Sequence, residues 1–164
     1  MDVSATTTNQ GAGSSAASTT RFYLSTNVAL DGSDPLIGSR SVPLLASGAS
    51  ASFTTPVTVP ATTAGGTYYV IAQADGASEV PETTESNNTK FSAAIKVGPD
   101  LIVSAMSAPA SAAAGGTISV TDTTKNQGTG AAGASSTGFY LSANTTVGTG
   151  DIFIGSRTLG GLAS

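Results

Sequence analysis

Alternation of apolar and polar residues predicts that the chain is built from β-strands. The pattern is clearest over residues 19–25, where Phe22 and Leu24 should face a core while Arg21 and Tyr23 face the other side. Further strands are predicted at residues 2–8, 52–60, 68–72 and 90–97, and another short strand opens at Leu36 and is ended by Pro43. No segment shows a helical period of useful length.

The strand over residues 68–72 has the highest content of β-branched and aromatic residues. Gln73 shares one face with Tyr69 and Ile71. We therefore expect the other face, formed by Tyr68, Val70 and Ala72, to point into the core.

The sequence predicts specific features for two more strands. Pro56 lies inside the predicted strand 52–60, which favours an edge position or a bulge, because proline cannot donate to a sheet ladder. The stretch from Lys90 to Val97 alternates cleanly, which predicts one apolar face formed by Phe91, Ala93, Ile95 and Val97.

One block of sequence occurs twice, 117 positions apart. The string Asn-Gln-Gly begins at Asn9 and again at Asn126, and Phe-Tyr-Leu-Ser begins at Phe22 and again at Phe139. The match runs without a gap from residues 3–47 to residues 120–164, with about half of the positions identical. Such internal repetition indicates a repeating array of one structural unit.

Short strands separated by turn residues predict an all-β fold, made of immunoglobulin-like antiparallel β-sandwich repeats joined end to end. Tyr68 begins the strongest strand, where a tyrosine hydroxyl can bond back across the corner. An ordinary strand tyrosine is the alternative interpretation.

The repeat frame predicts two units. Residues 101–117 have no counterpart before Val3 and should supply the first strand of a unit. We therefore expect residues 1–98 to be a repeat lacking its first strand, and residues 99–164 to be the N-terminal part of the next repeat. Gly98-Pro99-Asp100 is a short link, and its proline limits bending.

Composition narrows the range of functions. The chain has 164 residues, a net charge of −4, and no histidine, cysteine or tryptophan. These absences exclude serine–histidine and cysteine–histidine catalysis, and six scattered basic residues argue against a nucleic-acid surface. No apolar run is long enough to span a bilayer, and no signal peptide is visible. We expect no enzyme activity.

The acidic connection, residues 75–88, is the best candidate for a ligand site. Its carboxylates are suited to Ca²⁺, so Asp75, Glu79, Glu82 and Glu85 are candidate calcium ligands beside Asn87 and Asn88. Their spacing does not match an EF-hand loop, and the alternative is that they form turns. Asp31 and Asp34 are a weaker pair, since Asp31 becomes Gly148 in the second copy. No cofactor other than calcium is expected.

Several strings together resemble CARDB, the cell-adhesion-related domain found in bacteria. They are Pro99–Val103, Asn126–Gly128, Phe139–Ser142, Gly66–Tyr69, Ala74-Asp75, Glu79-Val80, Glu82, Glu85 and Asn87-Asn88. The resemblance implies immunoglobulin-like sandwiches, repeated in tandem in large surface or secreted proteins, and no catalytic residues.

These observations favour a structural repeat of a bacterial extracellular fibre, stalk or giant surface adhesin. Its partners would be neighbouring copies of the same repeat, and it would be located outside the cell or on the cell surface. The alternative is a calcium- or glycan-binding module of a secreted protein, acting through residues 75–88.

Overall fold

A computed structural model describes all residues, 1–164, and contains strands but no helix. The chain divides into two compact units, Met1–Lys96 and Val97–Ser164. The strands of the first part are β1 (Asp2–Thr8), β2 (Ser18–Ser25), β3 (Leu36–Val42), β4 (Ser50–Pro56), β5 (Gly66–Gln73), β6 (Thr89–Phe91) and β7 (Ile95–Val97). Those of the second are β8 (Leu101–Ser107), β9 (Thr121–Asn126), β10 (Ser135–Leu141) and β11 (Ile152–Leu159).

The first unit is the predicted antiparallel β-sandwich. One sheet pairs β1 with β4, and the other has the order β3-β2-β5-β6, with β7 also paired to β5. Between the sheets lies a core of five buried residues: Phe22, Leu24, Ile37, Val57 and Val70. Burial of these side chains is the main source of stability, since each removes most of its apolar surface from water.

The faces of β2 are as predicted, with Phe22 and Leu24 buried and Arg21 and Tyr23 only half-buried. The prediction for β5 is confirmed, because Val70 is buried in the core and Tyr68 and Ala72 pack against it. On the other face, Ile71 is also buried, at 1% exposed. It lies on the central strand, flanked in register by Tyr23 and Phe91, so its own sheet shields it on the outer face.

The prediction of one continuous apolar face over residues 90–97 was wrong. The strand breaks between β6 and β7, at Ser92–Ala94, where the Ser92 Oγ accepts a hydrogen bond from Val70 N at 3.0 Å. This irregularity puts Phe91 on the outer face, edge-on to Tyr69 at 6.5 Å between ring centroids. Ile95 instead packs against the core.

Strand β4 pairs only with β1, so Pro56 lies on an edge strand, as predicted. The strand ends at Pro56 and does not continue to residue 60. Val57, the next residue, turns into the core. The corner tyrosine is also confirmed, because the Tyr68 hydroxyl donates to the carbonyl oxygen of Ala64 at 3.0 Å.

The second unit contains two separate antiparallel pairs. Strand β8 pairs with β9, and β10 pairs with β11. The predicted first strand is therefore present as β8, and it lies beside β9, which corresponds to β1 of the first unit. The pairing of β10 with β11 repeats that of β2 with β3, including the register shift after Phe22 and Phe139.

Candidate functional site

The turn after β1 is held together by one side chain, that of Asn9. Its Nδ2 donates to the carbonyl oxygens of Gly13 at 2.8 Å, Leu45 at 2.9 Å and Ala46 at 3.3 Å. Its Oδ1 accepts from Gly11 N at 2.9 Å. Asn9 therefore connects the turn that leaves β1 to the segment that follows β3.

Asn126 repeats this arrangement in the second unit. Its Nδ2 donates to the carbonyl oxygens of Gly130 at 2.8 Å, Leu162 at 3.3 Å and Ala163 at 3.1 Å. Its Oδ1 accepts from Gly128 N at 3.0 Å. The asparagine thus recurs because it satisfies the same backbone groups in both copies. No other side chain of this length offers both an amide donor and a carbonyl acceptor.

In the second unit this turn also holds the segment that precedes β8. Asp100 N donates to Asn126 Oδ1 at 3.0 Å, and Gln127 N donates to the Asp100 carbonyl oxygen at 2.8 Å. The Gln127 Nε2 donates to Asp100 Oδ2 at 3.0 Å. The carbonyl oxygen of Gly98 accepts from the backbone N–H groups of Thr129 at 2.9 Å and Gly130 at 3.1 Å. The link is therefore part of the folded second unit.

Asp75 forms a turn at the start of the acidic connection. It is buried and has a φ of 45°, a conformation that aspartate tolerates better than most residues. Its two carboxylate oxygens accept from Glu79 N at 2.8 Å and Val80 N at 3.0 Å. These bonds occupy the carboxylate within its own loop.

The remaining acidic side chains of the connection are exposed. Glu82 and Glu85 both accept hydrogen bonds from the Asn88 Nδ2, and Glu85 Oε1 also accepts from Glu82 N at 3.2 Å. No three acidic side chains in the chain form a group arranged to hold a metal ion. The calcium site at Asp75, Glu79, Glu82 and Glu85 stays a prediction, which a thermal melt with added calcium and with chelator would test.

The loop between β2 and β3 explains why only two of its polar residues recur. Asn27 Oδ1 accepts from Ala29 N at 2.7 Å, as Asn144 Oδ1 does from Thr146 N. Asp34 Oδ2 accepts from Asp31 N at 3.0 Å, and its counterpart Asp151 accepts from Gly148 N at 2.7 Å. The recurring residues are the ones that hold the loop.

Asp31 itself accepts from the Ser33 hydroxyl at 2.6 Å and from Ser33 N at 2.8 Å. These bonds favour the charged carboxylate and lower the pKa of Asp31. The carboxylates of Asp31 and Asp34 thus take part in turn formation.

The second unit exposes an apolar face that the first unit buries. Leu141 is 60% exposed, whereas its counterpart Leu24 is 2% exposed. Ile154 is 44% exposed, against 9% for Ile37. Ile152, which lies opposite Leu141 in register and so on the same face, is 62% exposed. Tyr140 and Phe153 are also exposed, but they lie opposite each other on the other face of the hairpin. Leu141 and Ile154 are thus core positions that the second unit leaves exposed.

Comparison with protein-family models gives a match to CARDB over residues 1–92 and a second match over residues 98–164. The two matches together cover nearly the whole chain. The chain belongs to the CARDB family. This family consists of adhesion-related, in general non-enzymatic domains with an immunoglobulin-like β-sandwich fold. No curated protein and no solved structure gives a match.

The two CARDB matches support the two-copy repeat read from the sequence. In the sequence, the Asn-Gln-Gly string was noted only as part of the repeated block, and its asparagine was overlooked as the centre of the hydrogen bonds. The signal was available, since Asn9 and Asn126 stand at the same place in both copies of the block.

The structure also contains no helix that could cross a membrane.

Proposed function

We propose that this CARDB chain is a non-catalytic structural repeat of a bacterial extracellular fibre, stalk or giant surface adhesin. It acts by end-to-end assembly with neighbouring copies and by presenting its surface outside the cell. The family is adhesion-related, which supports the general class of function. The following observations support the finer proposal.

The observation that carries the proposal is the exposed face of β10 and β11. In the first unit, the equivalent edge of β2 pairs with β5, from Arg21 opposite Gln73 to Ser25 opposite Tyr69. Within residues 1–164, this strand sequence occurs once, in the first unit. Since Leu141 and Ile154 stand at core positions and burial of apolar side chains is favourable, we propose that chain with the sequence of residues 48–97 covers them in the assembled protein.

Repetition of internal contacts supports the same conclusion. The hydroxyls of Thr7 and Thr20 lie 3.0 Å apart, and those of Thr124 and Thr137 lie 2.9 Å apart. Together with the two asparagine centres, these pairs give both copies of the block the same internal contacts. A fibre needs such a block to fold the same way at every position, without any catalytic centre.

The assembly is tested by adding a copy of residues 48–97 directly after Ser164. We expect the extended chain to contain two sandwiches, with Leu141 protected from solvent and apolar dye binding reduced. Small-angle scattering should then show an elongated particle. The matched control is the extended chain with Leu141→Asp, which should keep the dye binding of the parent chain. An extended chain with unchanged dye binding and no new protected amides would contradict the proposal.

The location is tested separately, on intact cells of the source bacterium. Antibodies against the chain should label the surface, and mild external protease should remove the label. A cytoplasmic protein serves as the control for cell integrity. Detection of the chain only after lysis would contradict an extracellular role.

A further inference from the structure

The two Asn-Gln-Gly turns differ in what they hold. In the second unit, the turn binds Gly98 and Asp100 through the five hydrogen bonds described above. In the first unit, the equivalent backbone N–H groups of Gln10, Ala12 and Gly13 lie at the surface and donate to no protein acceptor. Asn9 Oδ1 accepts only from Gly11 N.

The glycines of the second turn are required by the segment that passes over them. A Cβ at Gly128 would lie 2.4 Å from Asp100 N and 2.5 Å from the Gly98 carbonyl oxygen. A Cβ at Gly130 would lie 3.1 Å from Gly98 Cα. Glycine is used here because the backbone of another segment approaches too closely for any side chain.

The same glycines have no such reason within the first unit. A Cβ at Gly13 would meet nothing within 4 Å, and a Cβ at Gly11 would meet only Asn9 Oδ1, at 3.1 Å. Neither residue has a positive φ. The first turn therefore has the shape needed to accept a passing backbone, although nothing in its own unit makes use of it.

The adjoining strand edge matches this turn. Strand β9 pairs with β8, with Leu101 opposite Asn126 and Val103 opposite Thr124. Strand β1 pairs only with β4, which leaves its other edge free. A strand placed on β1 in the same register would put Leu101 beside Asn9 and Val103 beside Thr7. Directly opposite residues share a face, so the incoming apolar side chains would lie on the face that carries Val3 and Ala5, which pack against the core.

We propose that the turn of residues 9–13 and the free edge of β1 form a binding site for an extended segment with the sequence of Gly98–Ser107. Its occupant is another copy of this segment, in which Gly-Pro-Asp leads into a short apolar strand. Binding adds a strand to the β1–β4 sheet, with backbone hydrogen bonds along β1 and the Gly-Pro-Asp lead seated over Gly11 and Gly13. The inference deepens the proposed assembly and takes its biological setting from it, since it names the segment of another copy that the first unit binds.

Direct binding is tested with a labelled peptide of residues 98–110, titrated into the full 164-residue chain. We expect saturable binding that Gly11→Ala weakens at least about tenfold, because the added methyl takes the space of the peptide backbone. Gly32→Ala is the matched control, since a Cβ at Gly32 also meets nothing within 4 Å, but this glycine lies in the loop between β2 and β3. Equal binding by the Gly11→Ala and Gly32→Ala chains would overturn the proposal.

A second experiment joins the segment covalently to the first unit, so that the site is tested even when the free peptide binds too weakly to measure. Residues 98–119 are placed directly before Val3, in place of Met1 and Asp2, as they precede Val120 in the second unit. We expect the Tm of the first unit to rise by at least about 5 °C, and Gly11→Ala in the grafted chain to remove most of that rise. A graft that leaves the Tm unchanged, or a rise that is insensitive to Gly11→Ala, would overturn the proposal.

These outcomes are distinct from those of the assembly experiment. If the peptide binds to a chain that never assembles, the binding site is supported and the fibre is contradicted. If the graft fails but the chain extended with residues 48–97 forms an elongated particle, the binding site is contradicted and the fibre is supported.

Discussion

Residues 3–47 and 120–164 carry the same block of sequence but lie in different surroundings. Both copies form the same hairpin, with the same register shift and the same asparagine-centred turn. Only the first copy has β4 and β5 to cover it, so Leu24 is buried while Leu141 is exposed. Local hydrogen bonding is thus set within the block, whereas burial depends on strands outside it.

The repeated arginine shows the same dependence. Arg40 lies over the ring of Phe53 on β4, at 4.4 Å from the ring centre. Arg157 has no such ring nearby and forms two hydrogen bonds with Asp122, at 2.7 and 2.6 Å. Asp122 stands where the first copy has Ala5. One side chain therefore finds an aromatic partner in one unit and an acidic partner in the other.

Leucine truncation should give the largest difference between the copies. Leu24→Ala should lower the free energy of unfolding of the first unit by about 2–5 kcal/mol, because it leaves a cavity in the core. Leu141→Ala should change stability by no more than about 0.5 kcal/mol. Three of the four tyrosines lie in the first unit, so tyrosine fluorescence during urea unfolding reports mainly on it. Equal effects of the two variants would mean that the face of the second unit is covered in solution.

Removing the turn asparagines should give the next largest effect, and in both units. Asn9→Ala leaves the three carbonyl acceptors at Gly13, Leu45 and Ala46 without their donor and should cost about 1–3 kcal/mol. Asn126→Ala should cost a similar amount and should also release β8, since Asp100 N loses its acceptor. Hydrogen exchange of residues 101–107 measures this release. Unchanged protection there would show that Asn126 does not hold β8.

The corner tyrosine exists only in the first unit, so its removal should affect that unit alone. Tyr68→Phe removes the hydrogen bond to the Ala64 carbonyl and should cost about 0.5–1.5 kcal/mol. Tyr69→Phe is the matched control on the same strand. Urea unfolding followed by circular dichroism measures both variants. A loss for Tyr68→Phe no larger than that for the control would contradict the corner interpretation.

The sequence was informative where the pattern was local. Alternation over β2 placed Phe22 and Leu24 correctly, and the first tyrosine of β5 was correctly given its corner role. It failed where a single irregularity changes the direction of side chains. A break at Ser92 moved Phe91 to the outer face, and alternation alone cannot reveal such a break, because the register depends on which groups of β5 are free to bond.

The candidate site was less predictable than the fold. Charge and oxygen content directed attention to residues 75–88, where Asp75 in the structure caps its own turn. The Asn-Gln-Gly turns, by contrast, carry no charge that would mark them. Their role depends on how closely another backbone approaches Gly128, and distances of this kind arise only from the folded chain.

The smallest expected effect is a difference in how the stability of the two units, which contain Arg40 and Arg157, depends on pH. The hydrogen bonds from Arg157 lower the pKa of Asp122 below its ordinary value of 3.8. A lowered pKa means that the ion pair stabilises the second unit fully above that value and that this contribution is lost as the pH falls through the lowered pKa. Arg40, which lies over an uncharged ring, should give the first unit no matching loss.

Amide exchange of β9 and β11 at decreasing pH measures this difference. Two loop carboxylates complicate it, because the Ser33 hydroxyl lowers the pKa of Asp31 and the Ser142 hydroxyl lowers that of Asp151. One lies in each copy, so Asp31→Asn and Asp151→Asn give the background. Against it, Asp122→Asn should flatten the pH response of the second unit, and added salt should weaken it, since Arg157 is 43% exposed. A response that survives Asp122→Asn would show that the acidic partner of Arg157 does not set the acid sensitivity of this unit.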